Sequence, residues 1–120
     1  MSIMFHSVVF DCADAASLAG FWARVLDQPV DDGASGDYAT IGMTAAPAGG
    51  PGWTFVGVPE AKGAKNRVHV DLGAHDLEAE VSRVLELGAT QLAKYEEDGA
   101  RWVTLADPEG NELDLVAVRS

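Results

Sequence analysis

The chain has 120 residues, one cysteine and a net charge of −11 at pH 7, a length that predicts a single domain over residues 1–120 with a core that needs no disulfide. The acidic balance would repel a polyanion, which excludes nucleic acid as a partner, and no run of about 20 apolar residues could cross a membrane. Lone Cys12 permits no intrachain disulfide and indicates a reducing, cytoplasmic location.

The first half of the chain predicts a strand, a helix and two further strands. Residues 3–11 are rich in β-branched and aromatic side chains, and Asp14 then stands in the position of a helix N-cap. Apolar residues follow with the spacing of an amphipathic helix, at Leu18, Phe21, Trp22 and Val25. Pro29 and nearby glycines end this pattern. Strands are predicted at 37–43 and 53–58, separated by a Pro/Gly-rich connection.

The same order returns in the second half. Residues 67–73 predict a strand, Asp76 a second N-cap, and Gly88 the end of the helix between them. The apolar positions of this helix are Leu77, Val81, Val84 and Leu85. Further strands are predicted at 89–95, 101–106 and 112–118. The two N-caps are about half the chain apart, which indicates a tandem repeat of a βαβββ unit, at about 1–60 and 65–120.

Three segments carry a resemblance to a known superfamily: HSVVFDCADAASLAGFWARVL, NRVHVDLGAHDLEAEVSRVLELGAT and LADPEGNELDLVAV. The chain resembles the glyoxalase / bleomycin-resistance / extradiol-dioxygenase (vicinal oxygen chelate) superfamily over nearly its whole length. The dipeptide FW and the run KNRVHVDL resemble its actinobacterial glyoxalase-like branch. The resemblance implies an α+β fold in which two tandem βαβββ units form curved mixed sheets around a cleft, with one helix per unit on the outer face. It also implies a small-molecule ligand and a homodimer.

Strand parity predicts which side chains face the cleft, because alternate residues of a strand point to opposite faces. The side chains predicted to face the cleft are His69 and Asp71 in RVHVDL, and Glu112 and Asp114 in the last strand. In the first strand they are Ser7 and Asp11. The helix side is predicted to comprise Val8, Phe10, Val68, Val70, Leu113 and Leu115.

In metal-dependent members, the resemblance implies four ligands, one from the first and one from the last strand of each unit. In the second unit these positions hold His69 and Asp114, which are plausible ligands for Zn, Fe, Mn or Ni. In the first unit they hold Ser7 and approximately Val56. Serine is a weak metal ligand, and valine has no atom that can bind a metal. A β-bulge at 5–7 would instead turn His6 inward to join His69 and Asp114.

Three function classes follow from these positions: a metal-dependent lyase, isomerase or dioxygenase; a metal-free binding or resistance protein; and a metal-free enzyme. In the last, His69 is the general base, oriented by Asp114. A chemically idle core histidine is the alternative for His69, and Trp102 could stack on a ligand or pack at a subunit interface. The other predicted ligand-contacting residues are Ser7, Asp11, Val56, Asp71 and Glu112. Because Ser7 and Val56 stand at two of the four ligand positions, the sequence favours a site without a metal cofactor, and a divalent metal ion is the alternative.

Overall fold

Seven strands and two helices form the described part of the chain, residues 2–44 and 50–119 of a computed structural model. The predicted fold class is confirmed: the structure is α+β, with two helices and two mixed sheets. The chain divides into two units, Met1–Ala61 and Lys62–Ser120. This division agrees with the two-unit fold that the sequence predicted, while the bounds of the repeats and the organisation of the whole chain as one domain stay predictions. In the described residues, neither helix has the length and apolar character needed to span a membrane.

The first unit contains β1 (Ser7–Cys12), α1 (Ala15–Leu26), β2 (Tyr38–Ile41) and β3 (Gly52–Gly57). The sheet order is β1-β3-β2, with β1 parallel and β2 antiparallel to the central strand. The carboxylate of Asp14 accepts a hydrogen bond from the Ser17 amide at 3.2 Å, so it is the N-cap that the sequence predicted. The predicted connection between β2 and β3 includes residues 45–49, which lie outside the described residues.

The predicted first strand begins four residues later than expected. The strand starts at Ser7, which pairs with Gly52, the first residue of β3. Residues 2–6 are outside the sheet, and Ile3, Met4 and Phe5 are 86%, 83% and 71% exposed. Residues 3–6 have high β-propensity, but they are not in a strand because the pairing of β1 with β3 begins only at Ser7.

The core of the first unit is an aromatic cluster between α1 and its sheet. Trp22 of α1 is fully buried, with ring centroids 5.1 Å from Phe10 of β1 and 5.3 Å from Trp53 of β3. Phe10 also stacks on Phe55 at 5.2 Å. These contacts confirm that Phe10 lies on the helix side, and they place Trp22 in the core of this unit.

The second unit contains β4 (Val70–Ala74), α2 (Leu77–Glu86), β5 (Thr90–Glu97), β6 (Ala100–Ala106) and β7 (Glu112–Ala117). Its sheet order is β4-β7-β6-β5, with β4 parallel to β7 and the remaining pairs antiparallel. The carboxylate of Asp76 caps α2 by accepting from the Ala79 amide at 3.1 Å. The Arg101 guanidinium, 2.7 Å from Glu78, lowers the pKa of that carboxyl and links β6 to the first turn of α2.

The strands of the two sheets follow the same order, except at one edge, where the second sheet has the additional strand β5. In the first unit, the place that corresponds to β5 holds an isolated bridge between Val30 and Ile41 instead of a strand, among the residues described. Pro29 precedes this bridge and cannot donate to a ladder. On its other side the Asp31 amide donates to the Thr40 carbonyl at 2.9 Å, and the Asp31 carboxylate is buried.

One predicted helix-side contact is wrong. Val68 is 84% exposed and precedes β4, so it does not pack under α2. The ladder between β4 and β7 begins at Val70, which pairs with Leu113, and no residue before Val70 is in that ladder. In β7, the two residues predicted to lie on the helix side, Leu113 and Leu115, are both buried.

Candidate functional site

One face of the second sheet carries a row of polar side chains. Asp71 of β4 is paired with Asp114 of β7, which is paired with Thr104 of β6. Their side chains share a face because paired residues project to the same side of a sheet. The adjacent rows, such as Leu72 with Leu115, project toward the other face. This polar face confirms the parity that the sequence predicted for Asp71 and Asp114.

His69 lies one residue before β4 and reaches this row. Its Nδ1 atom is 2.9 Å from Oδ1 of Asp71 and 3.8 Å from Oδ2 of Asp114. The other oxygen of Asp114 accepts a hydrogen bond from the Thr104 hydroxyl at 2.7 Å. The side chains of His69 and Asp71 are 41% and 56% exposed, whereas that of Asp114 is 13% exposed. Solvent can therefore reach His69, while the Asp114 carboxylate is shielded and held by the Thr104 hydroxyl.

The sequence predicted His69 and Asp114 as partners, and the structure places a third group nearer. Asp71 Oδ1 is 0.9 Å closer to the imidazole than Asp114 Oδ2 is, from the distances of 2.9 and 3.8 Å. Asp71 was predicted as a ligand-contacting residue rather than as a partner of His69. The signal was present in the sequence, because residues two apart in an extended chain lie on the same side.

In the first unit, the positions that correspond to His69 and Asp114 hold hydroxyl groups, and the position that corresponds to Asp71 holds Val9. In that unit Val9 pairs with Thr54, as Asp71 pairs with Asp114 in the other. Counted from the two capped helices, Thr54 therefore corresponds to Asp114, and the approximate assignment of Val56 was two residues too far along the strand. The Thr54 hydroxyl donates to the Ser7 hydroxyl oxygen at 3.2 Å. The roles predicted for Ser7, Asp11 and Val56 in ligand contact stay predictions.

His6 does not occupy the position that the bulged alternative required. The register between β1 and β3 runs without a shift from Ser7 to Cys12. His6 itself is exposed, and its carbonyl accepts a hydrogen bond from the Gly52 amide at 3.2 Å. The chain therefore continues at His6 without the bulge that would have turned its side chain to the opposite face.

Glu112 has its carboxylate engaged within its own unit. Its Oε1 atom accepts a hydrogen bond from the Asn66 amide at 2.6 Å, and its Oε2 atom lies 3.3 Å from Nζ of Lys62. The Asn66 hydrogen bond is the main reason that the pKa of Glu112 is lowered, with the Lys62 ammonium adding to it and burial opposing it. Glu112 is therefore ionised at neutral pH and bound to the segment that leads into β4.

An aromatic pair lies on the same sheet face as the polar row. Trp102 pairs with Val116 on one side and with Tyr95 on the other. The rings of Tyr95 and Trp102 are stacked, with centroids 5.1 Å apart and planes inclined by 20°. Trp102 is two residues from Thr104 on β6, so the pair lies on the face that carries Thr104 and Asp114, in the direction away from His69. Its predicted role in stacking on a ligand or at a subunit interface stays a prediction.

The donor atoms on this face fit a metal ion in part. His69, Asp71 and Asp114 each offer one ligand atom, and these three atoms lie within 4.8 Å of one another. One imidazole and two carboxylates suit Zn, Fe or Mn. All three come from one unit, however, and the positions of the first unit that correspond to His69 and Asp114 hold the hydroxyls of Ser7 and Thr54, so the four-strand ligand set of the resemblance is not reproduced.

Comparison with known proteins gives one family-model match and many structural ones. A model described as a glyoxalase-like domain matches residues 7–116. The glyoxalase/bleomycin resistance protein/dioxygenase family enzyme of Burkholderia phytofirmans has a TM-score of 0.74 and 18% identity over 93% of this chain and 96% of its own. No curated protein sequence matches the chain.

Two further solved structures extend the comparison. The fosfomycin resistance protein FosX of Listeria monocytogenes has a TM-score of 0.75 at 10% identity, over 98% of this chain and 95% of its own. The lactoylglutathione lyase of Agrobacterium tumefaciens has a TM-score of 0.65 at 14% identity, over 98% and 94%. At such identities the likeness establishes a shared fold and nothing further.

Proposed function

Because the chain belongs to the glyoxalase-like domain family, we propose that it binds a small polar molecule on the polar face of its second sheet, where His69 exchanges a proton with it. The observation that carries this proposal is the convergence of His69, Asp71 and Asp114 on one exposed face. Structural neighbours that include a lactoylglutathione lyase and a fosfomycin resistance protein agree with a small-molecule role.

The proton chemistry follows from the orientation of the imidazole. Nδ1 faces two carboxylates, which favours the tautomer that carries its hydrogen on Nδ1 and leaves the lone pair on Nε2. Nε2 is then the basic atom that accepts a proton from the ligand. The imidazolium so formed is stabilised by Asp71, the nearer carboxylate, and by Asp114, which the Thr104 hydroxyl holds in place.

A metal-dependent lyase, isomerase or dioxygenase is the second candidate, and the closeness of the three donor atoms favours it. His69, Asp71 and Asp114 would hold a divalent ion, which would supply Lewis-acid polarisation of adjacent oxygens on the substrate. Asp71 would then be the third ligand, in the place that the sequence alternative gave to His6. We prefer the metal-free form because Ser7 and Thr54 provide hydroxyls where a complete site needs stronger ligands.

The test is a binding titration followed by nuclear magnetic resonance. The ¹⁵N-labelled protein is titrated with a panel of α-hydroxy acids, 1,2-diols, catechols and α-dicarbonyl compounds. We expect at least one to shift amides of β4 and β7, and His69→Ala to weaken its binding about tenfold or more, as for a lost hydrogen bond to a charged group. His75→Ala is the matched control, since His75 is exposed in the turn before α2, and should change the affinity less than twofold.

Two outcomes would contradict the proposal. Equal affinity for wild type and His69→Ala would remove the histidine from the site. Stoichiometric Zn, Fe, Mn or Ni in protein purified without chelators, lost in both His69→Ala and Asp114→Ala, would establish the metal-dependent candidate instead. We expect less than one metal ion per chain, because a three-ligand site that includes an exposed Asp71 binds an ion weakly.

We also propose that the protein is a cytoplasmic homodimer. Support comes from the exposed apolar side chains of Ile3, Met4 and Phe5, since a contiguous apolar surface is typical of an interaction site. The single cysteine agrees with a reducing compartment. Sedimentation equilibrium tests the assembly: a monomer at concentrations of about 100 µM would rule out a dimer of ordinary affinity.

A further inference from the structure

We propose that Glu112 is a positioning residue, which holds His69 in the site by tying the segment before β4 to the beginning of β7. The importance of this role for ligand binding rests on the function proposed above, but the positioning itself is tested without a ligand. Glu112 acts through the chain, because its carboxylate is bound to Asn66 and Lys62 rather than to the imidazole.

Three contacts attach the segment to Glu112. The main-chain amide of Asn66 donates to Oε1 of Glu112 at 2.6 Å, and the side-chain amide of Asn66 donates to the main-chain carbonyl of Glu112 at 3.2 Å. Nζ of Lys62 lies 3.3 Å from Oε2 of Glu112. Lys62 also donates to the carbonyl of Ala64, which closes the segment on itself. Both oxygens of the carboxylate are therefore used, and the Glu112 side chain is only 13% exposed.

The segment has few other means of keeping its position. Residues 61–69 belong to no helix or strand, and all of them except Asn66 are exposed. A charge-assisted hydrogen bond from a main-chain amide to a shielded carboxylate is among the stronger single contacts that such a segment can make. Asn66 and Lys62 are thus the points at which this stretch is attached to β7, and Glu112 is the residue that binds both.

His69 lies between this anchor and the first ladder residue. Asn66 is three residues before it, and Val70, which pairs with Leu113, is the residue after it. With both ends fixed to β7, the backbone at His69 has little freedom, and its Nδ1 stays beside Asp71 and Asp114. Without the anchor, the chain is held on one side only, and the exposed imidazole can leave the carboxylates.

The arrangement also explains the spacing of the two acids on β7. Glu112 and Asp114 are two residues apart, so both project from the same face of the strand. Asp114 meets the imidazole itself, and Glu112 meets the backbone that carries the imidazole. One strand therefore sets both the electrostatic partner of His69 and its place, and a change at Glu112 is transmitted to the site without any contact with a ligand.

The experiment compares Glu112→Ala, Glu112→Gln and Lys62→Met with Glu86→Gln, a matched change at an exposed position on the last turn of α2. The first readout is amide hydrogen exchange at Asn66. The second is the pair of ring ¹⁵N shifts of His69 at one fixed pH, which reports the tautomer and the contacts of Nδ1. We expect Glu112→Ala to speed exchange at Asn66 about tenfold or more and to move the ring shifts toward those of an unrestrained histidine.

The milder variants should give graded results. Glutamine keeps an oxygen for the Asn66 amide but turns an NH₂ group toward Lys62, so Glu112→Gln should produce part of both effects. Lys62→Met removes the ion pair and the hydrogen bond to Ala64 but keeps both Asn66 contacts, so it should produce a smaller effect. Should Glu112→Ala fail to fold, Glu112→Gln and Lys62→Met decide the question, because each keeps an apolar stem of similar length.

One result overturns the proposal. If exchange at Asn66 increases in the glutamate variants while the ring shifts of His69 equal those of wild type and of Glu86→Gln, Glu112 stabilises the segment but does not position the histidine. Failure of the whole ligand panel would refute the proposed binding function and would leave this inference untouched, because neither readout involves a ligand.

Discussion

Replacing Trp22 with alanine is expected to lower the free energy of unfolding by about 3–5 kcal/mol, the range for removal of a large buried aromatic side chain. Trp22 is fully buried and contacts Phe10 and Trp53, so its loss would leave a cavity between α1 and the first sheet. Single domains are stable by only about 5–15 kcal/mol, so this one change removes a large part of the total. Urea unfolding followed by far-ultraviolet circular dichroism measures it.

Trp22→Phe is the control for that substitution. Phenylalanine keeps an aromatic ring in the cluster and leaves a smaller cavity, so its cost should be less than half that of alanine. A loss below about 1 kcal/mol for Trp22→Ala would be incompatible with a close-packed aromatic core, because deletion of so many buried atoms always forfeits contacts.

Replacing Asp31 with alanine is expected to cost about 3 kcal/mol, because a buried acceptor of three hydrogen bonds disappears. One oxygen of its carboxylate accepts from the Thr40 hydroxyl at 2.6 Å, the Met43 amide at 3.0 Å and the Thr44 amide at 3.3 Å. Asp31 is only 3% exposed, so water cannot readily replace the lost acceptor. The same unfolding assay measures the change.

The neighbouring residue supplies a matched control for Asp31. Asp32 is exposed, and Asp32→Ala should change stability by less than about 0.5 kcal/mol. Asp31→Asn keeps one carbonyl oxygen and should fall between the two. Equal effects of Asp31→Ala and Asp32→Ala would show that the hydrogen bonds of Asp31 contribute nothing beyond general electrostatics.

The two units use the same sheet position for different chemistry. At the paired position on the central strands, the second unit has Asp114 beside His69, and the first has Thr54 hydrogen-bonded to Ser7. A hydroxyl pair neither binds a divalent ion well nor takes a proton at neutral pH. The chemically active groups that we propose therefore all come from the second unit.

Several features could be read from the sequence because they depend on local physics. Asp14 and Asp76 predicted both helix starts, since a carboxylate before an apolar stripe caps the unpaired amides of the first turn. The alternation in β7 predicted that Asp114 and Leu115 lie on opposite faces, because the side-chain period of a strand is two. The repeat of these signals predicted the two-unit fold.

Other features depended on which residues meet across space. The strands begin at Ser7 and Val70, later than propensity indicated, because a strand needs a paired neighbour. The same ladders decided that Thr54, rather than Val56, corresponds to Asp114. The sequence by itself determined the elements and the sheet face on which His69 and Asp71 would lie. Only the tertiary structure decided how near their atoms come and that Glu112 binds the preceding segment, because such distances depend on strand register and on contacts between residues far apart in the chain.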